Sequence, residues 1–347
     1  MQRLAYIDAL RGLAIAYMII NHTAHYLFGS MINYNIYLAI YLTVAGAAPL
    51  FLFLVGFSLV LSDKQEGFVK YLKRGLGLII LNFLINGFFY FNEPLYRGRI
   101  LFLIGLAIIV GYPFLLLIRR QIINRWLLAV LVFLGLMLSS LAHNLSLLIP
   151  EGVIREIFFS EFTFFPWFLV VLAGMIFADY WLKLAEEVKS VIAKKISILG
   201  LALISFWFIV SIMVGRIELF SFVYDNVINN YWLPSALTWF WIMGLIFLTF
   251  GLVYSFYQNT ESIIREIFFS NLEAIGRYAI YLYFLQFFVI KTLLEKLTWP
   301  GFISDFPGFY FLIISLLIII CLCYLAKSKL FVKVITLGRQ KVTVKTF

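Results

Sequence analysis

Charge is what this sequence has least of. Only 13% of its 347 residues are Asp, Glu, Lys or Arg, about half the share of an ordinary soluble domain. Cysteine is almost absent. Cys321 and Cys323 lie two positions apart in one apolar run, and residues so spaced on a helix do not face each other. That excludes a disulfide framework or a paired-thiolate metal site. Three histidines, His22, His25 and His143, are too few and too scattered for a His-rich metal cluster, and no metal is expected. No Gly-rich phosphate loop is present either, which leaves ATP-driven transport without an engine in this sequence.

What remains is apolar. The composition is 64% hydrophobic and 19% aromatic, with a mean hydropathy of +1.01. This predicts an all-α integral membrane protein, one polytopic domain over 1–347 built as a bundle of about ten transmembrane helices around an internal cavity. Runs long enough to span a bilayer occur near 7–28, 36–62, 71–92, 99–118, 126–149, 162–182, 196–214, 236–257, 272–296 and 306–326. Asn82, Asn86, Arg277 and Gln286 interrupt the third and ninth. The N-terminal run is too long for a signal h-region and carries Arg11, so it reads as a permanent span and not a secretory signal.

Basic residues support that count. With the N-terminus inside, the inner pieces carry Arg3, Lys64 to Arg74, Arg119 to Arg125, Lys183 to Lys195, Arg265 and the basic C-terminal tail. The outer pieces carry Arg97, Arg99, Arg155 and Arg216. Both termini are therefore expected in the cytoplasm of a prokaryotic plasma membrane. The net charge of +10 is a matter of topology and contact with anionic lipid, not of nucleic-acid binding. Two stretches nearly repeat, "VIREIFFSEF" (153–162) and "IIREIFFSNL" (263–272), and each predicts a short amphipathic helix leading into a span.

The first span concentrates the chemistry. In "LRGLAIAYMIINHTAH" (10–25), a turn of 100° per residue brings Asp8, Arg11, His22 and His25 onto one stripe, its two polar ends roughly 17 Å apart along the axis. Ionisable groups at membrane depth face protein or water, so this helix should line the cavity. Arg offers a permanent cation with a planar donor fork suited to phosphate, and His exchanges protons near neutral pH. The set suits a phosphate-bearing donor at one end and an acceptor activated at the other. It equally suits a proton relay in a transporter or flippase, and an Asp8–Arg11 ion pair that only fixes topology.

A family pattern runs through these residues. Arg3, "IDALRGLAIAYMIINH" (7–22), "APLFLFLVGFSL" (48–59), "RGRILFLIGLA" (97–107), "FFPWFLVVLAGMIFAD" (164–179) and "IGRYAIYLYFLQ" (275–286) follow in order. Together they resemble the transmembrane acyltransferase superfamily, best its heparan-alpha-glucosaminide N-acetyltransferase catalytic-domain branch, with acyltransferase family 3 as the neighbouring possibility. The resemblance implies transfer of an acetyl or related acyl group from cytoplasmic acyl-CoA to a sugar, glycan or lipid-linked hydroxyl or amine at the outer side. By position, His22 would be the catalytic base with His25 second, Asp8 and Arg11 the inner polar pair, and Arg277 a second inner cation. The sequence departs from the pattern twice. Gln286 stands where the branch often has His. The loop after His22, which supplies His in members with Asn at that position, offers Asn33 and Asn35 instead.

Other residues join as candidates on their chemistry. Arg3, Lys73 and Arg74 are placed to clamp CoA phosphates or to act as plain positive-inside residues. Asn82 and Asn86 share a face and either glue helices or bind the pantetheine amides. Asn33, Glu161, Trp167 and Gln286 are candidates for the acceptor, with Trp167 also read as an interfacial aromatic. Partners are expected to be acyl-CoA, the acceptor and membrane lipid, with a homodimer open.

Overall fold

The computed structural model describes residues 4–28, 46–62, 67–90, 94–139, 148, 152–158, 162–215, 234–259, 263, 265–290, 307–328 and 332. Among them the chain is helical and has no strand. Apolar runs that must satisfy their own backbone groups become helices: α1 (Ala5–Phe28), α2 (Ala47–Leu61), α3 (Phe68–Phe89), α4 (Ile100–Arg119), α5 (Arg125–Met137), α6 (Val153–Phe158), α7 (Phe164–Trp181), α8 (Glu186–Gly215), α9 (Ala236–Asn259), α10 (Ser270–Arg277), α11 (Ala279–Phe287) and α12 (Pro307–Lys327). Four of the described helices are long and apolar enough to cross a membrane: Ile100–Arg119, Phe164–Trp181, Glu186–Val214 and Ala236–Asn259. Shorter apolar helices include Ala47–Leu61 and Arg125–Met137.

The chain forms two compact units, Met1–Gln2 with Ala48–Ser255, and Arg3–Ala47 with Phe256–Phe347. The larger is held by an aromatic core. Phe177 lies 4.8 Å from Phe250 and 5.5 Å from Trp181, ring centre to ring centre, and Trp181 lies 4.9 Å from Tyr254. Small residues let its backbones close. A Cβ on Gly75 would meet Gly105 O at 2.5 Å, and one on Gly200 would meet Gly244 O at 2.6 Å, the close approach that membrane helix pairs use.

Local chemistry sets the helix ends. Asn124 Oδ1 accepts from the Trp126 N–H at 2.9 Å and caps α5. Beyond α4, Arg119 donates to Ser62 O at 2.8 Å. At that same end of the unit, Arg125 lies 5.6 Å from the Tyr180 ring centre and Tyr254 donates to Glu186 at 3.1 Å. The first two turns of α3 carry Lys73 and Arg74, the last turn of α4 Arg119 and the first turn of α5 Arg125, while Lys183 follows α7 and Lys195 lies in the third turn of α8. Arg97 and Arg99 lie before the start of α4.

In the smaller unit α1 packs on α10, α11 and α12. The ninth expected span, near 272–296, is not one helix. It breaks at Tyr278 (φ −114°, ψ 25°) between α10 and α11. The Tyr278 N–H donates to Ile275 O at 3.1 Å, a tightened last turn of the kind that ends helices, just after Gly276 is pinned against a neighbouring backbone. The two "REIFF" stretches are helical as expected: α6, and a π-helical turn Arg265–Phe269 running straight into α10.

Candidate active site

The stripe on the first span survives folding as one unbroken helix. Asp8 sits in the first turn of α1, where the exposed N–H groups favour an anion. It is 2% exposed, and its Oδ1 accepts from Arg11 Nη1 at 2.7 Å. Arg11 keeps about a quarter of its side chain exposed, 25%. The pair is locked from outside by α10. A Cβ on Gly276 would overlap the Asp8 carbonyl oxygen, and one on Gly12 would overlap that of Leu272. Both glycines are thus required by contact between backbones. Arg277, the next residue after Gly276, is exposed, which places a second cation beside the first turn of α1.

His22 is half-buried on α1, eleven residues and roughly 17 Å of rise beyond Arg11. Its neighbour Thr23 is fully buried, and the Thr23 hydroxyl has no hydrogen-bond partner among the described residues. Gln286 on α11 is also fully buried, with both amide atoms unpartnered among those residues. His25 lies on α1, and its side chain is outside the described set. Arg3, Asn33 and Glu161 lie outside the described residues.

The same unit holds polar contacts with no motif to announce them. Tyr257 donates to Glu273 on α10 at 3.0 Å, and the Tyr6 ring meets Tyr257 edge-on at 6.3 Å. Lys327 donates to Ser270 at 2.9 Å. Glu273 and Ser270 follow the second "REIFF" stretch. The amphipathic pattern there was legible, and its partners on distant segments were not.

In the larger unit Asn82 and Asn86 do what interhelical asparagines do. Asn82 Nδ2 donates to Arg97 O at 2.9 Å, and Asn86 Nδ2 donates to Leu95 O and Arg97 O at 2.9 and 2.8 Å. Asn86 Oδ1 accepts from Arg99 Nε at 3.0 Å, and the buried Arg99 guanidinium lies 3.5 Å from the Tyr90 ring centre. Both amides are spent closing the α3–α4 connection, so they are not presented to a pantetheine chain in this structure. Lys73 and Arg74 are exposed in the first two turns of α3, about 14 Å of helix away from Asn82. The clamp and amide candidates are not brought together. Trp167 is fully buried, with Phe162 at 5.5 Å and Trp239 at 5.2 Å, so its ring is packed among aromatic neighbours.

Residues 3–212 match the model of the family described as heparan-alpha-glucosaminide N-acetyltransferase, catalytic. A search of curated proteins finds no match. The matched segment includes the Asp8–Arg11 pair and His22, and extends through α7 into α8.

Proposed function

Because the chain belongs to the heparan-alpha-glucosaminide N-acetyltransferase catalytic family, whose members are membrane N-acetyltransferase-like proteins, we propose that it moves an acetyl or related acyl group from acyl-CoA to a sugar, glycan or lipid-linked hydroxyl or amine. The observation that carries this reading is the intact α1 stripe. A charged Asp8–Arg11 pair and a half-buried His22 stand on one helix inside the matched segment.

In this reading Arg11 and exposed Arg277 receive the phosphates of CoA, as planar donor forks suited to them. Asp8 holds Arg11 in position. His22 takes the proton from the acceptor hydroxyl or amine as the acceptor attacks the thioester carbonyl. The acyl C–S bond breaks, CoA leaves as thiolate, and the proton held on His22 neutralises it or passes to water. Buried polar groups near the reacting carbon stabilise the developing oxyanion. The fully buried amide of Gln286 is available to donate to the acceptor or to that oxygen. Donor entry belongs to the Arg11 end, which the basic-residue pattern assigns to the cytoplasm, and acceptor entry to the His22 end.

The test is incubation of the purified full chain with radiolabelled acetyl-CoA and a panel of amino sugars and neutral sugars, with thermal stabilisation by acetyl-CoA measured in parallel. Acetylated sugar and a raised Tm are expected. Absence of any stabilisation by millimolar acetyl-CoA contradicts the proposal. Proton-coupled flux of a solute in proteoliposomes without acetyl transfer would assign the stripe to a relay.

A further inference from the structure

A cleft of about 410 Å³ opens in the larger unit between α5, α7, α8 and α9, and none of the α1 stripe residues lines it. It runs beside α5 from Arg125 to Met137, about 18 Å at 1.5 Å per residue. At its far end stand Met137 and Trp239. Along its length it is walled by side chains such as Val132, Phe133 and Met243. Apart from Arg125 and the Tyr180 hydroxyl, no side chain of the wall except the Trp indoles carries a polar atom. Water has almost nothing to bond there, and an apolar cavity stays dry.

The cleft's surroundings name the occupant's chemistry. Helix α8, which supplies one wall, is the least buried of the long apolar helices, with 17% of its best window buried. Its wall residue Leu199 and the α5 residue Phe133 are both exposed, so the cleft's rim presents apolar surface suited to contact with lipid. Among the described lining residues, only Arg125, at one end, is charged. The Arg125 guanidinium lies over the Tyr180 ring and makes no ion pair or hydrogen bond among the described residues. Lys195, exposed, precedes Leu199 by one turn on the same face of α8. Two nearby carboxylates are already engaged: Asp179 pairs with Lys183 at 2.7 Å and Glu186 with Lys189 at 2.6 Å. An elongated apolar slot with unneutralised cations at one mouth fits an amphiphile with one chain and an anionic head.

We propose that this cleft is a binding site for an anionic phospholipid, one acyl chain lying between α5 and α8 and its phosphate held by Arg125 with Lys195 alongside. Basic pockets between membrane helices take acidic headgroups in this way. The site is separate from the proposed acyl-transfer residues and stands whether or not they do chemistry. Selectivity between headgroups comes from the two cations, and chain binding from the apolar wall.

The experiment uses the wild-type full chain in mixed vesicles, with trace phosphatidylglycerol carrying a photoactivated diazirine on one acyl chain. The cross-linked peptides are then mapped by mass spectrometry. Labelling is expected on the segments holding Val132, Met137 and Met243. The phosphatidylcholine analogue should label them less, by about fivefold for each basic residue engaged. Arg125→Ala should erase part of that preference while leaving chain labelling in place. Ala129→Trp should block the slot, and because the wild-type map stands alone, a misfolded variant costs nothing. Labelling spread evenly over exposed helix faces, or equal labelling by both headgroups, overturns the proposal. Displacement of the probe by a long-chain acyl-CoA overturns it too, by giving the cleft to a donor's acyl chain.

Discussion

The carboxylate of Asp8 has almost no contact with solvent, 3% of its side chain, and accepts a hydrogen bond from Arg11 at 2.7 Å. Removing a partner from a buried hydrogen-bonded charge costs about 1–3 kcal/mol. Arg11→Ala should therefore lower the melting temperature measurably, while the double variant with Asp8→Ala should lose less than the sum of the singles. A thermal-melt double-mutant cycle checks this, and strict additivity would show that the pair contributes nothing. Gln286 presents the opposite case. Its amide is buried and unpartnered among the described residues, so replacing it with an apolar side chain relieves a desolvation penalty of about 1–3 kcal/mol. Gln286→Leu is expected to raise the Tm of the protein alone and to slow transfer. Gln286→His is expected to speed it. Stabilisation with unchanged transfer would remove Gln286 from the site. At this scale the sequence was informative about α1, because fixed helical geometry carries Asp8, Arg11 and His22 onto one face. It was uninformative about Glu273, Tyr257 and Arg99, whose partners lie on neighbouring segments at separations that no helical spacing rule covers.

Helices built from long apolar runs were legible because a bilayer leaves the backbone few alternatives. Where the reading failed, a tertiary contact decided. The run near 272–296 was read as one span interrupted by Arg277 and Gln286, yet Gly276 is pressed onto the carbonyl of Asp8 and the helix ends at Arg277, one residue beyond that glycine. Hydropathy has no access to such a contact. The glycine pair Gly12 and Gly276 thus fixes how α1 lies on α10. Gly276→Ala should push the two backbones apart at a cost of about 1–3 kcal/mol. Gly77→Ala is the matched control. That glycine is exposed on α3 and a Cβ there meets nothing within 4 Å, so the change should stabilise by about 0.5–1 kcal/mol. Melting temperatures of the two variants should move in opposite directions, and equal shifts would refute the close-packing argument. Asn82 and Asn86 teach the same lesson. Their shared face was evident from spacing, but only the folded connection shows that Arg97 and Arg99 occupy them.

For the whole molecule, composition alone fixed the class, and the basic residues that alternate along the chain fall near the ends of α3, α4 and α5. The family was legible through motifs strung along the chain, above all the Asp-x-x-Arg-Gly start and the His that closes the first span. The acceptor was not legible, since the residues proposed to bind it, Asn33, Glu161 and Gln286, share no spacing rule. If the orientation inferred from basic residues holds, a cysteine placed at Arg120 should react with impermeant reagents only from the cytoplasmic face. One placed at Leu95, in the connection held by Asn86, should react only from outside. Reaction from the reverse faces would invert donor and acceptor sides. The central claim, that His22 is the base of an acyl transfer, is tested most directly by the rate of acetyl transfer to an accepting sugar by His22→Ala beside the wild type, with acetyl-CoA stabilisation measured on both. A fall of about 10²–10⁴-fold, the range for loss of a general base, with acetyl-CoA binding retained, is the predicted result; transfer at the wild-type rate would contradict it.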